Sequence, residues 1–457
     1  MPHAVISHPA ASAGMPLDGL TPKDLRNLSA RHGWSLNESE MTAVQAHFRG
    51  LRRDPTRAEL ETLAQTWSEH CKHKTMTGPI RYSEGKKTRL IKNLLEETVF
   101  KATKQLKRPW CLSAFKDNAG IVSFGSKWAL AYKVETNNRP CAIEPYGGAE
   151  TGVGSVVRDV MGAGLGAKPI LNTDVFCFAP PDYAGPLPET ALHPRRVLDS
   201  VVSGVRDYGN RMGIPTAAGA IWFDPDYRLN PLVFCGTVGL LPAWAVSKTV
   251  KPGDIIVAAG GRTGRDGLHG ATLSSIVPER PQTAPPHTGD AINEKKLLDA
   301  LLEARQRKLY RAVTDCGAGG FSSAVGELAA KCGARVRLES ARLKTPDLAP
   351  WEIWLSESQE RMIFAVPPRN LKAFIAAFTA EDCETSILGE FTNDGRLKVA
   401  HNGAPVVDLD MRFLHGGLPA AEKRAVWEQP KPAPAKPSAH KKNLAQILVE
   451  CLAHLNV

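Results

Sequence analysis

The chain has 457 residues, a formal net charge of +10, 43% hydrophobic and 23% charged residues, proportions that exclude a disordered or fibrous chain and leave room for two or three globular domains. No apolar run is long enough to cross a membrane, and the opening MPHAVISHPAASAGMPLDG lacks the basic region and apolar core of a secretory signal, so a cytoplasmic location and no membrane partner are expected. Nine cysteines, odd in number and without a CxxC pair, argue against a disulfide framework or a zinc site, and the basic excess lies in scattered pairs and in EQPKPAPAKPSAHKK without interleaved aromatics, so no nucleic-acid partner is expected.

In chain order, residues 1–20 read as a disordered leader. Residues 21–70 carry apolar residues at helical spacing, and the starts TPKDL and DPTRAEL place Thr or Asp before a proline at a first helical turn. A helical linker domain is therefore expected over 21–106, carrying TWSEHCKHK, where Glu69, His70 and His73 fall within five residues without the spacing of HExxH. Over 107–245, GIVSF, WALAYKVE, PILNTDVFCFA and LVFCGTVGLLP read as strands, separated by glycine-rich turns and one clear helix, PRRVLDSVVSGVRDYGNRMG. A second unit, 246–418, opens on the buried-strand signal GDIIVAA and alternates helices with strands. The fold class is α+β or α/β. Residues 419–442 read as a Pro/Lys-rich, solvated linker, and 443–457 as an amphipathic helix with Leu444, Ile447, Leu448, Cys451, Leu452 and Leu455 on one stripe.

Three stretches could carry chemistry beyond WSEHCKHK. KVETNNRP and EPYGGAETGVGSVVRD present Glu135 and Asp159 near a glycine-rich turn, hard oxygen ligands that suit magnesium, with Arg158 as a neighbouring cation. A tight structural turn with a surface ion pair explains the same residues. GGRTGRDGLHGAT follows a strand, and in TDCGAGGFSSAVGELAAK Asp315 ends a strand before glycines that lead into a helix, a natural phosphate site without a Walker A sequence. LSESQERM groups Glu357, Ser358, Gln359 and Glu360, polar enough to orient a substrate and equally compatible with an exposed strand end.

Taken in order, WSEHCKHK, KVET..RP, EPYGGAETGVGSVVRDVMG, GIPTAAG, NPLVFCGTVG, GGRTGRDGLHGAT, EKKLLDALLEA, TDCGAGGFSS and PWEIWLSESQERM resemble the synthetase subunit of phosphoribosylformylglycinamidine synthase over about residues 20–418. The resemblance implies a half-barrel ATP-binding domain over 107–245 that pairs with another, a flanking α/β domain over 246–418 of the aminoimidazole ribonucleotide synthetase type, and an ATP-dependent amidination of formylglycinamide ribonucleotide. It implies His70 as an active-site residue, His73 and Lys133 at ATP, Glu135, Asp159 and Asp315 at Mg2+, and Thr136, Asn138, Arg139, Arg158, Glu357, Ser358 and Gln359 facing the substrate.

Two positions depart from the family pattern. Asn137 stands where ETHNHP or ETHNSP places a histidine proposed as proton acceptor, and an amide cannot accept a proton near neutral pH. His287, in PHTGDA, replaces a substrate-facing Gln. Family chains continue into a second, similar half, so the resemblance implies a partner, either a separate second-half chain or a homodimer mate. It also implies a separate glutaminase subunit or free ammonia, since the chain lacks a nucleophile elbow with its Cys. Two readings follow: one half of a split synthetase, or a nucleotide-binding homologue without turnover.

Overall fold

The computed structural model describes residues 14–189, 191–270, 289–430 and 443–456. Three helices open it, Pro22–His32, Glu38–Gly50 and Arg57–Thr66, and each begins with a capping box in which Thr21, Asn37 or Thr56 exchanges hydrogen bonds with Asp24, Glu40 or Glu59. DPTRAEL thus starts its helix after Thr56 and not at the Asp-Pro pair, because Thr56 and Glu59 have the box spacing that Asp54 lacks. The region expected to stay helical to 106 instead turns into a hairpin, β1 (Ile80–Glu84) and β2 (Lys87–Ile91).

A six-stranded sheet follows, formed by β3 (Cys111–Ser113), β4 (Gly120–Phe124), β5 (Trp128–Thr136), β6 (Lys168–Phe178), β7 (Thr216–Phe223) and β8 (Leu232–Pro242) in the order β3-β4-β5-β8-β6-β7, with only the β6–β7 pair parallel. Helices Pro145–Gly162 and Pro194–Met212 cover one face, burying Val153, Val157, Val201 and Tyr208 with Phe176, Val233 and Cys235. The other face is open. Read across the register, it presents Trp128, Tyr132, Phe234, Val175 and Trp222, and Trp128, Tyr132 and Trp222 are exposed, an apolar sheet surface of the kind that marks an interface.

The second sheet has seven strands, β9 (Ile255–Gly260), β10 (Ala312–Asp315), β11 (Ala334–Arg337), β12 (Arg361–Val366), β13 (Thr385–Phe391), β14 (Arg396–His401) and β15 (Ala404–Asp410), in the order β10-β12-β9-β13-β11-β14-β15. Strand alternation divides its core in two. Ile256, Ala258, Ile363 and Ala365 pack with Leu60, Leu63 and Trp67 of the opening helices, whereas Val257, Ala259, Met362, Phe364 and Val366 pack with helices Ala291–Gln306 and Leu371–Ala380. The linker helices are therefore a wall of this domain, and TWSEHCKHK is fastened to it by the Trp67 indole, which donates to the Leu414 carbonyl.

The expected strands, the helix Pro194–Met212 and the C-terminal helix, Leu444–Leu452, are present. Inside the stretch expected to be linker, β16 (Lys423–Trp427) pairs parallel with β1. All nine cysteines are free and six are buried. No helix among the described residues is long and apolar enough to cross a membrane.

Candidate active site

The cleft lies where the first sheet, the second sheet and the linker helices meet. Residues i and i+2 of β5 share a face, so Lys133 and Glu135 both point toward helix Pro145–Gly162. There the Lys133 ammonium stands 2.9 Å from Asp159 and 3.3 Å from Glu135. Asp315, at the end of β10, joins them from the second domain. Burial and the neighbouring Asp315 push the Asp159 carboxyl well above the usual carboxylate range, against the pull of Lys133. Burial also raises Asp315, opposed by Arg158 and Lys133. Burial works against the Lys133 charge, yet Asp159 and Glu135 hold its pKa above the ordinary lysine value. His70 arrives from the linker: burial lowers its pKa, while Glu135 pulls it up. His73, at left-handed φ 49°, ends the short helix Glu69–Lys72 and adds a second imidazole close enough to depress His70 further.

Residues distant in sequence hold this cluster in place. Asn118 donates its amide to the Asp315 carboxylate, and Lys248 pairs with Asp117 at 2.5 Å and donates to the carbonyls of Gly162 (2.9 Å) and Val313 (3.0 Å). Sequence reading missed all three, because the stretch Lys116–Gly120, KDNAG, reads as a turn and Lys248 belongs to no motif. Among the described residues no set of three or more His, Cys, Asp or Glu side chains surrounds a common ion position. Glu135 and Asp159 do share one cation, the Lys133 ammonium. Magnesium usually takes one or two carboxylates and completes its shell with waters and phosphate oxygens, and this oxygen-only donor pair fits that mode, not a dedicated cage.

The glycine-rich turn expected at EPYGGAETGVGSVVRD is instead the first three turns of an 18-residue helix, Pro145–Gly162, with Pro145 at its start and the Glu144 carboxylate accepting from the Gly147 amide. Glycine here serves close approach. A Cβ on Gly148 would lie 2.6 Å from the Cys141 nitrogen, and one on Gly154 would lie 2.7 Å from the Tyr208 hydroxyl. Packing thus offsets the roughly 1 kcal/mol that each helical glycine costs, and the helix comes close enough to β5 and β8 for Asp159 to reach Lys133.

Asn137 follows β5 and packs against this helix: its amide donates to the Gly148 carbonyl, and a Cβ on Gly152 would sit 3.2 Å from its own. It ties strand end to helix start. Asn137→Ala is expected to cost about 1–3 kcal/mol, the range for losing such a bond and leaving its acceptor unpaired, read as a fall in the denaturation midpoint at unchanged m. Asn138 is also engaged, its side-chain oxygen accepting from the Val233 amide at 2.9 Å. Thr136 is exposed at the end of β5 and Arg139 is half-buried. His287 lies outside the described residues.

Glu357, Ser358 and Gln359 are not an exposed strand end. Glu357 accepts from the Gly319 amide at 3.0 Å, steadying the turn into helix Gly320–Leu328. Ser358, fully buried, accepts from the Gly264 amide at 2.8 Å and donates to Asp266 at 2.6 Å, so it anchors the other glycine-rich loop. Gln359 accepts from Arg158. Arg158 itself is 1% exposed and lies in a protein carboxylate network: 2.9 Å from Glu294, 3.6 Å from Glu360, with the Tyr208 hydroxyl donating to both carboxylates. One guanidinium faces two carboxylates, so burial raises the Glu294 carboxyl to about 8 against the pull of Arg158, with Glu360 adding to the rise. Below pH 4.5, the ordinary glutamate value, folded and unfolded chains both hold that proton. Between there and about 8 only the folded chain does, so stability falls as pH rises through this window. Melting temperature against pH should show that decline, and Glu294→Gln should flatten it.

Family models match along the chain in order: the formylglycinamide ribonucleotide amidotransferase linker domain over residues 25–74, the N-terminal domain of AIR synthase related proteins over 116–241, and their C-terminal domain over 251–402. The chain belongs to the AIR synthase related family, whose N- and C-terminal domains it carries in this order. Within it the chain is a relative of phosphoribosylformylglycinamidine synthase subunit PurL. It is 38% identical to PurL of Thermoplasma acidophilum across 85% of this chain and 49% of that protein. Among solved structures it is similar to Thermotoga maritima PurL complexed with FGAR (32% identity, TM-score 0.66, covering 84% of this chain and 57% of that one) and complexed with ATP (30%, 0.61, 84% and 55%). The chain spans about half the length of the curated relatives it matches.

Proposed function

We propose that this chain is one half of an ATP-dependent carbon–nitrogen ligase that converts formylglycinamide ribonucleotide and ammonia to formylglycinamidine ribonucleotide, ADP and phosphate in purine biosynthesis, a cytoplasmic reaction. The observation that carries this reading is the convergence of Lys133, Glu135, Asp159 and Asp315 from both domains beside His70 of the linker. The matches to PurL solved with FGAR and with ATP support it.

In this reading Glu135, Asp159 and Asp315 would supply the carboxylates for Mg2+, one or two to any one ion, and the metal would supply charge neutralisation at the phosphates. Lys133 and His73 meet the ATP phosphates, which draw the Lys133 ammonium away from the carboxylates it now bridges. The substrate lies between Thr136 and Arg139 on one side and the turn steadied by Glu357 on the other, with Arg158, Asn138, Ser358 and Gln359 positioning the walls. The amide oxygen takes the phosphoryl group, and ammonia then displaces phosphate at the same carbon. Asn137 cannot accept the proton ammonia must lose. His70, which burial lowers and so keeps neutral near pH 7, is the base within the cleft.

The second half of the synthetase, a separate chain or a second copy, packs on the open face that carries Trp128, Tyr132 and Trp222, and a separate glutaminase supplies ammonia. A second reading, a nucleotide-binding regulator without turnover, draws on the departures at Asn137 and His287. ADP release by the purified chain with a matching second half, substrate, ATP, magnesium and ammonium separates the two. Turnover by the native sequence establishes the ligase. Nucleotide binding with turnover only in Asn137→His establishes the regulator.

A further inference from the structure

Beside the linker, with none of the cleft carboxylates in its wall, lies a cavity of about 360 Å3, walled by the opening helices, the residues around Gly78 and Pro79, and the start of β16. Four lysines line it from four separate places: Lys72 in the short helix Glu69–Lys72, Lys74 just after it, Lys92 after β2, and Lys423 on β16. The one carboxylate in its wall, Glu40, is consumed by Lys74 at 2.9 Å. Lys72 donates to the His415 carbonyl at 2.7 Å and Lys423 to the Thr75 hydroxyl. Among the described residues no carboxylate lies within ion-pair distance of Lys72, Lys92 or Lys423.

Lysines with long flexible stems ordinarily spread into water, since like charges repel and ordering the stems costs entropy. Here three uncompensated ammonium groups are gathered around one concavity by a hairpin, a returning strand and one short helix. Such a wall attracts anions, and lysine is suited to phosphate as a compact point charge. The volume falls at the lower end of small-molecule sites.

We propose that this cavity binds a small, multiply charged phosphate compound at a site separate from the carboxylate cleft. The chemistry is the same for free pyrophosphate and for the phosphate of a nucleotide or sugar.

Calorimetric titration of the full chain with inorganic pyrophosphate, in EDTA so that the carboxylate cleft stays metal-free and repels anions, is expected to show saturable binding of one equivalent. Lys92 and Lys423 are both exposed, so the pair Lys92→Glu and Lys423→Glu should fold with an unchanged melting temperature and bind at least tenfold more weakly. The milder pair Lys92→Ala and Lys423→Ala should fall between. Competition by AMP or ribose 5-phosphate assigns the site to an organic phosphate, and its failure assigns the site to the inorganic anion. Absence of saturable binding to the native chain, or binding indifferent to both double variants, overturns the proposal.

Discussion

Arg158→Met should lower folding stability by about 3–5 kcal/mol, the cost of leaving buried carboxylates without their cation. The guanidinium lies within 2.9 Å of Glu294 and 3.6 Å of Glu360 and also donates to Gln359. Its helix belongs to the first domain, whereas its partners lie on helix Ala291–Gln306 and at the head of β12 in the second, so the loss also loosens the joint between the domains. Methionine fills most of the space without the charge, which separates the electrostatic loss from a cavity effect. The measurement is chemical denaturation of the single variant and of Arg158→Met with Glu294→Gln. If the network acts as described, the double variant recovers part of the loss. Equal stability of native protein and Arg158→Met would show that the network contributes nothing net.

Asp159→Asn should reduce ADP release by the completed enzyme roughly 10²–10³-fold, the scale expected for removing one preorganised electrostatic contact to a transferring phosphoryl group. The change removes a charge that Lys133 meets at 2.9 Å while nearly preserving shape, and burial already presses this carboxyl toward its neutral form. Folding should therefore be kept, or slightly improved, as activity is lost. The dependence on magnesium concentration distinguishes a metal ligand from a structural residue. A ligand variant needs more magnesium to reach its reduced maximum, whereas a merely structural change leaves the half-saturating concentration unaltered.

Much of this architecture is legible residue by residue. TPKDL starts a helix at Pro22, GIVSF and WALAYKVE are β4 and most of β5, Asp315 ends its strand before a glycine turn and a helix, and the apolar periodicity of Pro194–Met212 is a helix throughout. The site is partly legible. Glu135 and Asp159 do meet at a shared cation, but Asn118 and Lys248, which hold Asp315 and its neighbours, carry no signal beyond turn composition. Strand β7, TAAGAIWF, escaped notice because alanine and glycine have little β preference, and β16 because proline and lysine dominate its surroundings.

Local spacing by itself determined the caps, the alternating strands and the order of motifs that marks the family, because each depends on residues a few positions apart. Tertiary structure alone decided what the glycines at 148, 152 and 154 are for. A glycine is equally suited to a turn and to a close helix contact, and the choice rests with Cys141, Tyr208 and Asn137 across the interface. It likewise decided that Arg158 faces buried carboxylates and that Ser358 braces a loop nearly a hundred residues away. A charge or a hydroxyl states what it can pair with, and only the folded chain brings the partner within reach.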